Sequence, residues 1–305
     1  MLPPQARYLP DGAAGGRRLH LQHGPIDLVI GVDADDGLCR TVFEAAIVRF
    51  ETVLQELVDE LPLLRSEAAP AMPRASGSTA RRMVAAVRPH AVDRFITPMA
   101  AVAGAVADEM LATMMAAATG QVLRRVYVNN GGDIALHLAE DTAFHIRVAR
   151  EDGTALGVFR LDAGSPSRGV ATSGRGGRSL SFGIADSVTV VARDAAAADA
   201  AATLIANAVD LQGHPAIVRV PASARVDDSD LGDRLVVLSC GRLNPGDVER
   251  ALENGLAEAE RLIGLDLMEK AALFLQGEGR VAGGNRASSV STNTPVAFME
   301  HAPHA

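Results

Sequence analysis

The 305-residue sequence has no tryptophan, and aromatic residues make up only 3% of it. With so few stacking side chains and a formal net charge of −8, a nucleic-acid partner is not expected. The two cysteines, Cys39 and Cys240, are far apart and fit no metal-ligand spacing, so the sequence predicts reduced thiols.

Long hydrophobic runs are also absent. The longest, residues 110–119, has about half the length that a bilayer span requires. Residues 1–16 lack the apolar segment of a secretory signal, so we expect a cytoplasmic protein without a membrane partner. The 48% share of hydrophobic residues is typical of a globular protein.

Helical and alternating apolar patterns divide the chain into helices and strands. Helices are predicted over 36–64, 80–87 and 97–118, with one more beginning at 194. Residues 245–276 are predicted as one or two helices, with Gly264 as a possible break. Strands are predicted over 17–21, 26–32, 122–129, 133–138, 144–150, 156–162, 186–192, 216–221 and 235–240. Grouped strands flanked by long helices predict an α+β layered fold with a mainly antiparallel sheet. We expect a single domain over residues 1–276 and a flexible tail over 277–305.

Asp199 and Thr203 lie four residues apart on the helix predicted to begin at Asp194. That spacing places the two side chains on one helix face, with Cβ atoms about 5–6 Å apart. Carboxylate and hydroxyl oxygens suit Mg²⁺, and ligand phosphates can complete its coordination. The pair therefore predicts a magnesium site, and the alternative is a polar pair on a solvated, alanine-rich helix.

The segment 172–179 is rich in glycine, serine and arginine. Successive N–H groups and guanidiniums bind anions, so this segment predicts a phosphate-binding loop. Its candidate residues are Thr172, Ser173, Gly174, Arg175 and Arg178. The spacing matches neither a Walker A loop nor GxGxxG, and a flexible hairpin connection is the alternative.

Asn130, Gly131, Gly132 and Asp133 separate two predicted strands. Asn and Gly suit the positive φ angles of a tight turn, so a hairpin turn explains the motif locally. Contact between this backbone and a buried ligand is the alternative.

Hydrolytic motifs are missing. Ser173 is not part of a GxSxG elbow, and the eight histidines form neither HxxxH nor HExxH. A serine hydrolase or a zinc protease is therefore disfavoured.

Four segments, in this order, resemble motifs of the ApbE-like superfamily: AVAGAVAD (101–108), VNNGGDI (128–134), GVATSG (169–174) and SVTV…ADAAAT (187–203). The best-known members are FAD:protein FMN transferases, which bind FAD and Mg²⁺ and move FMN onto a Thr or Ser of a partner protein. The resemblance implies an ApbE-like, T-fold-type fold of two intertwined halves. It also implies Asp199 and Thr203 as metal ligands, with the backbone near Ala100 as a third. The 131–133 turn and the 172–174 segment would border the flavin-nucleotide pocket.

Two departures from the superfamily pattern bear on activity. Ala103 stands where the transferases have lysine, and their HxxDPxTG loop is missing between Ser181 and Ser187. Asp186 is a candidate for the lost catalytic aspartate, with a strand-start residue as the alternative.

We therefore expect a protein that binds a flavin nucleotide or related phosphate-bearing ligand with Mg²⁺. One hypothesis is an FMN or nucleotidyl transferase acting on an acceptor protein, in which Asp199 also helps to deprotonate the incoming hydroxyl. The other is a non-catalytic binding or assembly protein. Helices rich in alanine and methionine leave room for a homodimer.

Overall fold

The computed structural model describes residues 3–10, 17–149, 155–177 and 179–283. Its strands are β1 (Gln5–Leu9), β2 (Arg17–His23), β3 (Ile26–Asp33), β4 (Arg125–Asn130), β5 (Asp133–Leu138), β6 (Ala143–Ala149), β7 (Ala155–Asp162), β8 (Gly169–Ser173), β9 (Ser187–Ala192), β10 (Ile217–Pro221), β11 (Leu235–Cys240), β12 (Lys270–Leu275) and β13 (Glu278–Gly283).

The helices are α1 (Asp36–Asp59), α2 (Leu61–Leu64), α3 (Ser78–Val87), α4 (Val102–Ala117), α5 (Ala195–Ala208) and α6 (Pro245–Gly264). Short 3-10 turns lie at Arg88–His90, Pro98–Ala101 and Ala222–Ala224. Asp35 begins α1 and Asn244 begins α6, because each side chain accepts a hydrogen bond from the backbone N–H three residues ahead.

One nine-stranded sheet organises the fold, with the strand order β1-β2-β3-β4-β5-β8-β9-β12-β13. Every neighbouring pair in it is antiparallel. Two separate ribbons, β6–β7 and β10–β11, complete the described strands. The predicted α+β class with a mainly antiparallel sheet is confirmed.

The same series of elements occurs twice along the chain. The hairpin β2–β3, helices α1 and α4, and the hairpin β4–β5 come first; β8–β9, α5 and α6, and β12–β13 follow. Within each series the two hairpins pair with each other, through β3–β4 or β9–β12. That arrangement supports a single domain of two intertwined halves over residues 1–276, which stays a prediction.

Each half has its own apolar core. In the first, Val42, Ala46, Phe50, Val53 and Leu57 recur at helical spacing along α1 and are all buried. A second core lies among β8, β9, β12, α5 and α6, and a smaller third one includes residues of β5 and the β6–β7 ribbon. Both cysteines are free thiols.

Glycine allows α4, α5 and β8 to meet at unusually short range. A Cβ atom on Gly104 would lie 2.2 Å from the carbonyl oxygen of Ala195, and one on Gly169 would lie 2.0 Å from that of Asp194. The first turn of α5 therefore has the backbone of α4 on one side and that of β8 on another.

The structure corrects several predicted boundaries. Over 245–276, the first helix ends at the possible break, Gly264, and residues 270–275 form β12 where helix was predicted. Ladders to β9 and β13 satisfy the β12 backbone on both sides, so tertiary pairing overrides its helix-like composition. Residues 278–283 form β13, which corrects the start of the tail predicted from 277. The sequence reading also missed β1 and β8.

One helical stretch in the described part of the chain, Pro98–Ala117, is long and apolar enough to cross a membrane by length and composition. Many of its residues are buried against the rest of the fold, including Ala105, Val106, Met110 and Met114. A buried core helix can have the same length and apolar composition, so burial within the fold accounts for both.

Replacing Gly104 by alanine should lower the free energy of unfolding by about 1–3 kcal/mol, because the new methyl group overlaps a backbone carbonyl that cannot move freely. Urea unfolding measures the loss. Gly264→Ala is the matched control, since its Cβ atom would meet nothing within 4 Å and its effect should stay within about 0.5 kcal/mol. Equal losses in the two variants would refute the close-packing argument.

Candidate functional site

Helix α5 carries a single polar stripe. Its sequence is AAAADAAATLIANA, so Asp199, Thr203 and Asn207 recur one turn apart on an otherwise apolar or alanine surface. The helix begins at Asp194, whose carboxylate accepts a hydrogen bond from the N–H of Ala197 at 2.8 Å. The predicted helix is therefore present, and it places Asp199 and Thr203 on one face.

Asp199 contacts the beginning of α4. Its Oδ2 atom accepts a hydrogen bond from the N–H of Gly104 at 3.1 Å. Helix α4 has no capping side chain of its own, because Ala101 occupies the N-cap position. The carboxylate of Asp199 therefore supplies from another helix the acceptor that the first turn of α4 lacks.

A second carboxylate, that of Asp133, lies beside Asp199. Burial and the negative charge of Asp133 raise the pKa of Asp199 well above its ordinary range, although hydrogen bonds from Gly104 and Ala103 oppose the rise. Asp133 is itself buried and accepts a hydrogen bond from the N–H of Thr172 at 3.1 Å. Two neighbouring carboxylates in a low-dielectric setting favour a bound cation or a proton.

The β4–β5 turn fixes these carboxylates relative to α4. Gly131 and Gly132 have φ angles of 65° and 112°, which glycine adopts without strain. Asn129 accepts a hydrogen bond from the N–H of Gly132 at 2.8 Å, and Asn130 donates one to the carbonyl of Ala103 at 3.1 Å. The motif is a hairpin turn, and it also joins the sheet to the first turn of α4.

Thr203 lies between Asp199 and Asn207, the two residues of the polar stripe whose side chains accept hydrogen bonds. Asn207 accepts a hydrogen bond from the N–H of Phe182 at 2.9 Å, and Asp199 is held by α4. Among the described residues, no hydrogen-bond partner is found for the Thr203 hydroxyl, and the side chain is half-buried. This hydroxyl is therefore available for a ligand.

The described residues contain no group of three or more His, Cys, Asp or Glu side chains suited to a metal ion. A cation at the polar stripe would need one or two carboxylates completed by hydroxyl, carbonyl and ligand oxygens, which is the donor set that Mg²⁺ accepts. Ala100 lies in the 3-10 turn Pro98–Ala101 that leads into α4. Its carbonyl thus belongs to the segment next to the helix end that Asp199 caps.

The predicted phosphate loop is shorter than expected, because Thr172 and Ser173 are the last residues of β8. The hydroxyl of Thr172 shares a hydrogen bond with that of Thr189 at 3.0 Å. Gly174 has a φ of 145° and packs against the backbone of Asp186. Arg178 lies outside the described residues.

Arg175 and Asp186 form an ion pair with each other at 2.9 Å. The second oxygen of Asp186 accepts a hydrogen bond from the N–H of Gln276 at 2.5 Å. Both oxygens of Asp186 are therefore engaged. No sequence motif indicates Arg175 as its partner. Within the described ranges, no hydrogen bond or ion pair connects this pair with Asp199 or Thr203.

Asp108 is a component of the site that sequence reasoning missed as a functional residue. Its two oxygens accept hydrogen bonds from the N–H groups of Ala195 and Ala196, at 3.0 and 2.9 Å, and the residue is buried. The available signal was an acidic residue one turn after Gly104, at the end of the apolar run that begins α4.

A polar cleft of about 950 Å³ opens at the C-terminal end of α5. Its wall includes Arg94, Asn207, Asp210, Arg250, Asn254 and Arg261. Asn207 belongs both to this wall and to the polar stripe, so the stripe leads from Asp199 toward the cleft. Arg94 and Arg261 are both paired with Glu258, which offsets part of the positive charge of the wall.

Comparison with protein families gives a match over most of the chain. A family model described as AbpE bacteria matches residues 6–281. The UPF0280 protein of Methanoregula boonei is 37% identical over 176 residues, which are 55% of this chain and 69% of that protein. The UPF0280 protein of Methanothermobacter thermautotrophicus is 41% identical over 116 residues, or 38% of this chain and 43% of the relative. The match thus spans less than half of that relative's length.

Two solved structures are also similar to the chain. The flavinyl transferase ApbE of Pseudomonas stutzeri, in its apo form, has 14% identity and a TM-score of 0.39, with 90% of this chain and 92% of that chain covered. The flavin transferase ApbE of Vibrio cholerae has 12% identity and a TM-score of 0.37, with 92% and 97% covered. Both TM-scores are below 0.5, so this likeness carries no argument about the site.

Ionisation of Asp108 should make stability depend on pH. Burial raises its pKa from an ordinary 3.8 to about 6, and hydrogen bonds from Ala196 and Ala195 oppose the rise. Because the folded state then binds the proton more tightly than the unfolded state, the stabilising contribution is full below about pH 4 and is lost as the pH rises through about 6.

The difference in free energy of unfolding between the wild type and Asp108→Asn should therefore fall by about 2 kcal/mol from pH 4.5 to pH 7.5. Urea titrations of both proteins at the two pH values measure it. The asparagine variant is the baseline, since it shares every other titrating group. A difference that stays constant or grows with pH would show that the pKa of Asp108 is not raised.

Proposed function

Because this chain belongs to the family described as AbpE bacteria, we propose that it binds a flavin nucleotide such as FAD, or a related phosphate-bearing ligand, together with Mg²⁺. The binding site comprises Asp199 and Thr203 on α5, the beginning of α4 near Ala100, and the β4–β5 turn. A cytoplasmic location and a homodimeric state stay predictions from the sequence.

The observation that carries this proposal is the pairing of two neighbouring carboxylates with a free hydroxyl. Asp133 and Asp199 repel each other in a buried setting. One turn along the same helix, the Thr203 hydroxyl has no hydrogen-bond partner among the described residues. A divalent cation relieves the repulsion and uses the hydroxyl. A merely structural polar pair would account for neither the second carboxylate nor the free Thr203 oxygen.

The residues present fit a magnesium ion. The Asp199 carboxylate already accepts from the N–H groups of Gly104 and Ala103. Its remaining acceptor capacity would hold the metal with the Thr203 hydroxyl and a backbone carbonyl near Ala100. When bound, Mg²⁺ would polarise the ligand's pyrophosphate and offset the charge of the leaving nucleotide. The chain itself holds the carboxylate against α4, and the Asp133 carboxylate favours positive charge at this position.

A ligand longer than a pyrophosphate has room to continue along α5. The polar stripe ends at Asn207, in the wall of the 950 Å³ cleft, a volume within the range of small-molecule sites. We propose that the nucleotide extends from Thr203 toward this cleft.

Two functions share this binding site. The first is transfer of FMN from FAD to a Thr or Ser hydroxyl of an acceptor protein, with release of AMP. The second is binding without chemistry, and one specific observation favours it: both oxygens of Asp186 are engaged, by Arg175 and by the backbone of Gln276. We therefore omit Asp186 from the proposed catalytic group and place binding ahead of transfer.

Asp199→Asn should remove the Mg²⁺-dependent part of FAD binding, because the amide has neither the charge nor the second free acceptor that a divalent cation needs. We expect the affinity for FAD in the presence of MgCl₂ to fall at least roughly tenfold. Fluorescence titration with FAD, with and without MgCl₂, measures it. Thr203→Val should show the same direction of change.

Asp59→Asn is the matched control, since Asp59 is exposed on α1 and only accepts a hydrogen bond from Gln55. Its affinity should equal that of the wild type. If Asp199→Asn keeps its Mg²⁺-dependent affinity while remaining folded, the metal role of Asp199 is wrong.

Incubation of the protein with FAD, MgCl₂ and candidate acceptor proteins separates the two functions. Transfer predicts FMN covalently attached to an acceptor, seen by intact-mass spectrometry, and an equal amount of released AMP. Binding alone predicts bound FAD with neither product, which is the outcome we expect from the engaged state of Asp186. Attached FMN in wild type but not in Asp199→Asn would instead establish the transferase.

A further inference from the structure

We propose that Asp108 is the positioning residue of the candidate metal site: it holds the beginning of α5 against α4, and so sets where Asp199 and Thr203 lie relative to the segment near Ala100. This inference rests on the proposed function, which names the metal site. Asp108 would not touch the metal or the ligand.

The contacts of Asp108 are specific to the first turn of α5. Its two oxygens accept the N–H groups of Ala195 and Ala196 at 3.0 and 2.9 Å. These are two of the four N–H groups that a helix beginning leaves without an internal partner. A buried carboxylate using both oxygens on adjacent N–H groups fixes both the distance and the rotation of α5.

The contact is reciprocal. Asp199 of α5 accepts the N–H of Gly104 in α4, while Asp108 of α4 accepts N–H groups at the beginning of α5. In each helix the two participating positions are four residues apart, 104 with 108 and 195 with 199. The two helices therefore cross with their beginnings side by side, and each provides the anion that the positive end of the other attracts.

Close backbone contact makes this arrangement rigid. The crossing has no room for even one extra methyl group at Gly104 or Gly169. Small displacements of α5 are therefore opposed by sterics in one direction and by the carboxylate of Asp108 in the other. Without Asp108, the contacts described between the two helix beginnings are those from the N–H groups of Gly104 and Ala103 to Asp199.

The functional consequence follows from the geometry that Mg²⁺ requires. The ion accepts only near-octahedral coordination at about 2.0–2.1 Å, and the proposed donors come from both helices. A shift of α5 would separate Asp199 and Thr203 from the carbonyl near Ala100. Removing a residue that holds a metal ligand in position without touching the metal typically lowers metal affinity about 10–100-fold.

The test compares two variants that each remove a cap from the same helix. Asp108→Ala removes the carboxylate of α4 that accepts hydrogen bonds from the first turn of α5. Asp194→Ala removes the local N-cap, which accepts the N–H of Ala197 at 2.8 Å and pairs with the Arg193 guanidinium at 3.0 Å. Both should destabilise the protein by amounts that urea unfolding measures. Only Asp108→Ala should raise the MgCl₂ concentration needed for half-maximal FAD binding, by about 10–100-fold, while Asp194→Ala stays within about twofold of wild type.

Asp108→Asn is the conservative variant, because its amide oxygen can still accept one of the two N–H groups. It should recover part of the lost Mg²⁺ dependence, and it serves as the test if Asp108→Ala does not fold. An equal rise of the MgCl₂ requirement in Asp108→Ala and Asp194→Ala would mean that only stability matters, and the inference would be overturned.

Amide hydrogen exchange of the ligand-free protein separates failure of this inference from failure of the proposed function. Exchange of the Gly104 N–H should accelerate at least roughly tenfold in Asp108→Ala and stay unchanged in Asp194→Ala. If wild type shows no Mg²⁺-dependent binding but this exchange pattern is found, the positioning role stands and the metal site is wrong. Unchanged exchange at Gly104 in Asp108→Ala would overturn the positioning role itself.

Discussion

The crossing of α4 and α5 is the contact on which the rest of the molecule depends. It joins the two series of strands and helices at the centre of the helix layer, and it tolerates no side chain at Gly104. Two carboxylates, Asp108 and Asp199, are placed there at the cost of their hydration. Backbone N–H groups at the helix beginnings compensate for that cost, so the polarity of the crossing is satisfied mainly by the backbone.

Because backbone N–H groups satisfy these carboxylates, negative charge predominates in this part of the interior. Asp133 adds a third carboxylate close to Asp199, and the arginines of the 950 Å³ cleft are paired with other acids. N–H groups supply hydrogen bonds but only partial positive charge, so they do not neutralise three carboxylates. A bound cation or a proton therefore complements this part of the structure, and that argument holds independently of any family resemblance.

Sequence reasoning recovered what depends on local spacing. The alignment of Asp199 with Thr203 follows from helical periodicity, and the β4–β5 turn follows from its glycines. It missed the partners of Asp108 because they lie 87 residues away along the chain, and no local pattern encodes such a contact. It read residues 270–275 as helix because KAALFL has no strand-like alternation; only pairing with β9 and β13 makes them a strand.

The short segment between β8 and β9 bears on transfer, because it ends at Asp186, the candidate for the lost catalytic aspartate. Gly174 packs on the backbone of Asp186, whose carboxylate in turn receives Arg175 and the N–H of Gln276. A group held by two donors is poorly placed to accept a proton from an incoming hydroxyl, since it would first have to lose one of them. Asp199 is likewise held by two donors, the N–H groups of Gly104 and Ala103, whereas the Thr203 hydroxyl has no hydrogen-bond partner among the described residues. The proposed binding site uses Asp199 and Thr203 on α5 and does not depend on Asp186.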